Sequence, residues 1–476
     1  MDLALLVDFG STNTKLVLID LEGEELIGTA QSGSTVTDNM MNGFRSALAK
    51  LLASPEVARR GISESAITRK LACSSAAGGL RMVAIGLVPQ LTLEAARRAA
   101  LGAGAKVVGS YAHELTGEDV KAIERGPCDA ILLSGGTDGG NKDVALHNAA
   151  MLAESSIEAP FIVAANRVVS PECARILQQS GKVVELTENV LPGLETLNVE
   201  PARNAIRETF VRRIVKAKGL DKAEAYLGNI LMPTPMASLK AAELLANGTD
   251  DEPGIGELMV VEVGGATTNV HSVATGKPTG QACLKGLPEP LAKRTVEGDL
   301  GIRYNAATIV ELAGEKRVLG NISAHRNVLG DLGLGAFCEH LSSNVGFIPQ
   351  DDRDFLVDVA LAKTAAHIAV ERHAGTLTEA LTPSGHIFIQ YGKDLTGLKT
   401  IIGTGGVFAF GRMPEEILKG GCYSHSEPMS LRPKEPTFYV DRRYILYAVG
   451  LLSDIAPSKA LRIAKKHLQR LAAPVV

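Results

Sequence analysis

The most chemically loaded stretch of the chain lies near its start, where Asp8-Phe9-Gly10-Ser11-Thr12-Asn13-Thr14-Lys15 joins two apolar runs. A phosphate group needs close backbone approach, free N–H groups, hydroxyl donors and a cation, and Gly10, Ser11, Thr12, Asn13 and Lys15 supply these. Asp8, at the end of an apolar strand, can hold Mg²⁺ through water. The same grammar returns at Glu262-Val263-Gly264-Gly265-Ala266-Thr267-Thr268-Asn269-Val270-His271. Here Glu262 is the carboxylate, and Gly264, Gly265, Thr267 and Thr268 are the candidate phosphate contacts. Two such hairpins can face one triphosphate, with Asp8 and Glu262 holding the metal ion and orienting an attacking water. A third element, Thr400-Ile401-Ile402-Gly403-Thr404-Gly405-Gly406-Val407, reads as a strand entering a glycine turn and then a helix. Gly403, Thr404, Gly405 and Gly406 there suit backbone packing against a nucleoside. Each element alone also reads as an ordinary polar turn.

Other polar clusters leave more than one reading open. In Ser134-Gly135-Gly136-Thr137-Asp138-Gly139-Gly140-Asn141, Asp138 and Asn141 can contact a ligand or partner, or cap the helix that runs toward Leu152. Glu297 and Asp299, on either side of Gly298, can serve acid–base chemistry or pair with Arg294 or Arg303. His271 falls on a strand after the second hairpin and reads as a packed or edge residue rather than a ligand. No Gly-Lys pair is followed by Ser or Thr, which excludes a Walker A loop, and Gly102-x-Gly104 lacks the third glycine of a dinucleotide fingerprint. Zinc-type His or Cys spacing is absent, as is the D-x-H-x-x-G pattern of base-off cobalamin binding.

The elements that must position these residues follow an α/β rhythm. Apolar runs at Leu3 to Val7, Thr14 to Ile19, Val83 to Leu87, Lys106 to Ser110, Ala130 to Leu133, Phe161 to Ala164 and Lys182 to Glu185 alternate with amphipathic stretches. The latter include Thr92 to Leu101, Lys142 to Glu154 and Pro171 to Gly181. A longer helix is expected from Pro201, with Ile206, Phe210 and Ile214 on one face. The turn-rich Asn247 to Gly256 reads as a domain boundary. An irregular stretch follows at Gly286 to Arg294, with Pro288 and Pro290. Asp354 to His373 reads as a long helix ended near Gly375.

A length of 476 residues predicts about three domains at roughly 150 residues each. Forty-nine lysines and arginines against 53 acidic residues leave a net charge of −4, with a pI near 6.2, so no positive field gathers nucleic acid or anionic lipid. The chain has no Trp and only 4% aromatic residues, which removes stacking platforms for single-stranded bases. No stretch has the length of a membrane span, and Asp2 stands where a signal peptide carries a basic residue, so a cytoplasmic protein is expected. The six cysteines are scattered singly and read as reduced thiols.

The order and spacing of the three glycine elements resemble the actin, heat-shock chaperone and sugar-kinase superfamily. A closer resemblance covers nearly the whole chain. The segments Leu132 to Asn141, Val261 to Ser272, Lys293 to Gly301 and Ile402 to Gly406 are similar to the MutL (GlmL) family of glutamate mutase accessory proteins, which is unrelated to mismatch-repair MutL.

That resemblance implies an α/β, two-lobed actin-like (ribonuclease H-like) ATPase fold, with ATP and Mg²⁺ as cofactors and an adenosylcobalamin-dependent mutase or aminomutase as partner. It implies a reactivating chaperone activity driven by ATP. The lobes are expected at 1–250, including an α/β accessory segment of flavodoxin-like character at about 83–186, and at 257–445, followed by a C-terminal helical segment at 446–476. Family members carry Asp where this chain has Glu262 and Asn269, so metal geometry and hydrolysis rate are expected to differ here. Two alternatives share the fold: a small-molecule kinase with Asp138 as base, and a non-hydrolysing nucleotide-binding scaffold.

Overall fold

The computed structural model describes residues 1–35, 39–75, 80–194, 196–217, 226–227, 230–278, 282–287, 289–322, 333–382 and 385–471. The side chains of Phe210 and Ile214, expected on a helical stripe, and Pro288 lie outside the described set. The chain divides into two compact units, one of residues 1–76, 222–285 and 289–476, the other of residues 77–221 with 286–288.

In the first unit, β1 (Leu3–Phe9) and β2 (Asn13–Asp20) form an antiparallel hairpin, β3 (Glu25–Gly33) extends it, and β4 (Arg69–Ser74) returns parallel to β1. Every residue of β1 is buried, which explains its unbroken apolar run: a central strand covered on both faces has no reason to alternate. The second unit then supplies β5 (Arg81–Gly86), β6 (Lys106–Ala112), β7 (Ala130–Leu133), β8 (Phe161–Val163) and β9 (Val184–Leu186). The chain re-enters the first unit at β10 (Ile230–Pro233), parallel to β4.

The second half follows with β11 (Leu258–Val263), β12 (Thr268–Val273), β13 (Cys283–Lys285) and β14 (Ala292–Glu297). It continues with β15 (Thr376–Thr382), β16 (Gly385–Tyr391), β17 (Thr400–Thr404), β18 (Thr437–Val440) and β19 (Gln469–Arg470). The two large sheets of the first unit run β10-β4-β1-β2-β3 and β14-β12-β11-β17-β18-β19. They share a five-strand pattern, three antiparallel strands and then two more parallel to the first of the hairpin, to which the second sheet adds β19 antiparallel to β18. This duplicated order is the two-lobed, actin-like ribonuclease H-like architecture expected from the sequence.

The second unit is a wholly parallel sheet in the order β6-β5-β7-β8-β9, the flavodoxin-like winding. It reaches beyond the expected 83–186, because helix Glu200–Ala217 packs on helix Glu94–Gly102. A Cβ on Gly102 would stand 2.2 Å from Arg203 Nε, so a larger residue there would have to displace the guanidinium. Asp138 and Asn141 belong to this unit. Asn189 Nδ2 and the Arg167 N–H each donate to Asp138 Oδ1 at 2.9 Å, and Asn141 Oδ1 accepts from the Val144 N–H at 3.2 Å, at the start of helix Asp143–Ala153. Both side chains therefore serve as capping and loop-tying groups.

Helix Leu446–Leu452, expected to begin a separate C-terminal segment, is entirely buried and shares one core with both large sheets and helix Thr234–Asn247. The crossing is close enough that a Cβ on Gly450 would meet the Ala237 carbonyl O at 1.8 Å. Asp441 caps the start of this helix, accepting from the Ile445 and Leu446 N–H groups at 3.0 and 2.9 Å. On the other side of the second sheet, helix Asp352–His373 packs among Met259, Val261 and Val270. Its last residue is fully buried: His373 Nε2 bonds Ser272 Oγ at 2.7 Å and Nδ1 bonds Thr295 Oγ1 at 3.0 Å, pinning the helix to β12 and β14. No helix among the described residues is long and apolar enough to cross a membrane. All six cysteines are free thiols.

Two outcomes follow from this packing. Gly450→Val forces side-chain atoms into the Ala237 backbone and is expected to destabilise the protein by about 3 kcal/mol, read as a lowered urea midpoint. The second concerns pH. Burial lowers the pKa of His271, His367, His373 and His467, that of His373 well below the ordinary value. The unfolded chain therefore binds more protons than the folded one once pH drops below about 6.5, and stability is lost as pH falls through that range, by up to about 1.4 kcal/mol per pH unit per group. Urea titrations between pH 7.5 and 5 should show this slope, and His373→Gln should flatten it.

Candidate functional site

One cavity of about 550 Å³ opens between the two hairpins of the first unit. Asp8, Gly10, Ser11, Thr12, Asn13 and Lys15 line it from the first sheet, and Glu262, Gly264, Gly265, Thr267 and Gly406 from the second. The volume falls in the usual range for a small-molecule site, about 300–1,000 Å³. Both hairpin turns close with the same bond: Gly10 N–H donates to Asn13 O at 3.0 Å, and Gly264 N–H to Thr267 O at 2.9 Å. They also approach one another, because a Cβ on Gly265 would lie 3.3 Å from Thr12 Oγ1.

The second turn is braced by the loop after β14. Ile302 N–H donates to Gly264 O, Arg303 and Tyr304 N–H to Gly265 O, and Asn305 Nδ2 to Ala266 O. With those carbonyls engaged, the amide N–H groups of Gly265, Ala266 and Thr267 are what the turn has left to offer an anion. Arg303 is itself locked by a bidentate pair with Asp358, at 2.8 and 2.7 Å.

At the cavity floor, Asp8 Oδ2 accepts from Lys15 Nζ at 2.6 Å and Oδ1 from Thr234 Oγ1 at 2.5 Å. Lys15 Nζ also lies 4.1 Å from the centroid of the Tyr444 ring. Burial by itself lowers the ammonium pKa, but the adjoining Asp8 carboxylate and Tyr444 outweigh it and hold Lys15 charged. Across the cavity, Glu262 Oε2 accepts from Asn269 Nδ2 at 3.1 Å and lies 3.5 Å from His271 Nε2. Burial raises the Glu262 pKa, yet these two neighbours outweigh it and hold the carboxylate below its ordinary value.

Four of the residues expected to touch nucleotide point elsewhere. Thr268 is buried, its Oγ1 donating to Leu300 O at 2.7 Å, and Thr404 is buried with its Oγ1 donating to Asp441 Oδ2 at 3.0 Å. Gly403 is the packing surface for Phe408, whose ring would be 2.7 Å from a Cβ there, and a Cβ on Gly405, which sits at φ 111°, would meet Val263 O at 2.2 Å. Strand alternation explains the threonine pair: Thr267 ends the turn and lines the cavity, so Thr268 must face the interior. Glu297 and Asp299 both pair with Arg372, at 2.6 and 3.0 Å, while Arg303 pairs with Asp358.

The structure adds residues that the sequence did not mark as lining a site. Thr234, Arg303 and Tyr444 line the polar floor, while Val407, Phe410, Phe347, Ile348 and Phe355 form an apolar flank beside Gly406. Phe410 is 63% exposed, unusual for so large an apolar ring and suited to stacking. Asn269 lines the cavity as well, and its buried Oδ1 has no hydrogen-bond partner. These features fit a nucleotide with a hard cation: two carboxylates and an unsatisfied amide oxygen for the ion, free amides in glycine turns for phosphates, and an apolar flank for a base.

A family profile described as MutL protein matches residues 4–468. The chain is 48% identical over 472 residues to Protein MutL of Clostridium tetanomorphum, covering 99% of this chain and 100% of that protein. Among solved structures, a glycerol dehydratase reactivase is similar at 10% identity and a TM-score of 0.34, over 95% of this chain and 99% of that one. The activator of the 2-hydroxyisocaproyl-CoA dehydratase from Clostridium difficile with bound ADPNP is similar at 9% identity and a TM-score of 0.32, over 99% and 100% of the two chains.

The turn geometry yields a graded outcome. A Cβ on Gly10 would meet Asn13 O at 2.5 Å, whereas one on Gly264 would meet Thr267 O at 3.1 Å. Gly10→Ala is expected to cost about 2 kcal/mol and Gly264→Ala under about 1 kcal/mol, as measured by chemical denaturation.

Proposed function

The chain belongs to the MutL protein family, and on that premise we propose that it is an ATP-dependent accessory protein, cytoplasmic, that binds and hydrolyses MgATP in this cavity. Its client in this reading is an adenosylcobalamin-dependent mutase or aminomutase, which it reactivates as a chaperone. The observation that carries the nucleotide part is the pairing of two hairpins of one design on a single cavity, with Asp8 and Glu262 at its walls.

In this scheme the turn amides of Ser11 to Asn13 and Gly265 to Thr267 cradle the phosphates, and the Ser11 and Thr12 hydroxyls add donors. Bound Mg²⁺ supplies charge neutralisation on the phosphate oxygens, and Asp8 and Glu262 are the residues to hold it. Lys15 keeps Asp8 neutralised within the desolvated floor and stands beside the turn where negative charge gathers. Val407 and Phe410 take the base against an apolar face, while the Arg303–Asp358 pair keeps the second hairpin rigid. Hydrolysis of this kind asks the protein mainly for positioning and charge stabilisation.

One observation favours a second reading, a scaffold that binds nucleotide without hydrolysing it: both oxygens of Asp8 are already engaged, by Lys15 and Thr234. Phosphate release from MgATP separates the two, measured on the purified protein alone and with an inactivated, cobalamin-loaded mutase to which fresh cofactor is added. The expected result is basal release that rises severalfold with the client and is accompanied by recovered mutase activity. Asp8→Asn should bind nucleotide within about tenfold of the unmodified protein while losing at least about a hundredfold in turnover. Unchanged turnover in that variant would sink the assignment of Asp8, and tight nucleotide binding with no release in any condition would leave the scaffold.

A further inference from the structure

The buried imidazole of His271 has no task in that scheme, yet it is one of the least expected groups in the core. It has no exposed surface, and neither of its ring nitrogens has a hydrogen-bond partner. Leaving a polar group in that state costs a folded protein stability, so its retention calls for a reason. Its closest acidic neighbour is Glu262, whose Oε2 lies 3.5 Å from Nε2. That same oxygen is the acceptor of the Asn269 amide at 3.1 Å.

The strand register explains why these three side chains meet. Glu262 on β11 is paired directly with Asn269 on β12, and His271 is two residues further along β12, hence on the same face. Asn269 and His271 thus approach the same Glu262 Oε2 from neighbouring positions of one strand. Glu262 itself lines the cavity. Glutamate at this point carries one more rotatable bond than aspartate, and an unrestrained carboxylate of that length spreads over several rotamers. A second acid at position 269 would face it as a like charge directly across the strands, whereas the Asn269 amide donates to it.

We infer that Asn269 and His271 are positioning residues that hold Glu262 Oε2 and so leave Oε1 for the cation in the cavity. This inference rests on the MgATP reading above. The 3.5 Å separation is one small side-chain rotation from a hydrogen bond, and such bonds commonly tighten only when the ligand is present.

The test compares His271→Leu, His271→Gln and Asn269→Asp in the full chain. Mn²⁺ affinity of the nucleotide-loaded protein is followed by electron paramagnetic resonance, alongside nucleotide affinity by calorimetry, steady-state phosphate release and thermal melting. His271→Leu is expected to weaken Mn²⁺ binding at least about fivefold and to lower kcat about tenfold, with KM for ATP within about twofold. His271→Gln, which keeps a donor at that place, should return Mn²⁺ affinity to within about twofold. Asn269→Asp should weaken Mn²⁺ binding in the same sense, and serves as the test if His271→Leu melts early. A His271→Leu protein with unaltered Mn²⁺ affinity and kcat overturns this inference alone, as does a glutamine variant no better than leucine at equal melting temperature. An unmodified protein that binds neither nucleotide nor Mn²⁺ overturns the MgATP reading with it.

Discussion

Two carboxylates at the ends of buried strands set the terms for the rest of the molecule. Asp8 sits one residue from the end of β1, every residue of which is buried, and Glu262 one residue from the end of β11 among neighbours almost as dry. A charge withdrawn from water must be matched by a partner or it drives the site to unfold or neutralise. For Asp8 the match is Lys15 and Thr234; for Glu262 it is Asn269 and His271. Each match comes from the hairpin partner strand, joined for Asp8 by the start of the helix after β10. The hairpins therefore hold these acids in place as well as offering turn amides to a ligand.

Duplication of the fold follows from the same requirement. A single sheet of this order presents one hairpin turn at the end of its central strand, and a second sheet of the same order presents another. Bringing the two turns within van der Waals reach demands a rigid connection between the sheets. Helices Thr234–Asn247 and Leu446–Leu452 provide it, sharing a single core with both sheets, and they touch at Gly450 and Ala237 with no room for a side chain. The helix that begins with Thr234 also delivers a hydroxyl to Asp8, so the element that joins the sheets is the element that helps neutralise the site. On the far face, the buried bonds of His373 to Ser272 and Thr295 fix helix Asp352–His373 against the strands that carry the second turn.

Much of this was legible beforehand because it depends on local chemistry. The run Leu3 to Val7 announces a strand covered on both faces, and Gly10 and Gly264 mark turns that must bring the backbone close to something. Legibility stopped where a side chain's direction depends on its surroundings. Thr267 and Thr268 are neighbours of one type, yet only Thr267 lines the cavity, a difference that strict strand alternation predicts once the register is known. The Gly403 to Gly406 turn was visible as a turn, but three of its four residues serve packing against Phe408, Val263 and Asp441. Glu297 and Asp299 were visible as a pair of acids, but their partner Arg372 is some seventy positions away at the end of a helix.

The sequence by itself determined the strands, the turns and the family, because apolar patterning, glycine placement and motif order are properties of short segments and of their succession. It also singled out Asn269, as a neutral amide where the family resemblance leads one to expect an acid. Only the tertiary structure decided which polar groups are matched with which. Thr234 with Asp8, Asp441 with Thr404 and His271 with Glu262 are associations between segments far apart in the chain or across a register that spacing does not reveal. Burial makes those associations compulsory, since a charge or hydroxyl removed from water must find its partner in whatever the fold brings beside it.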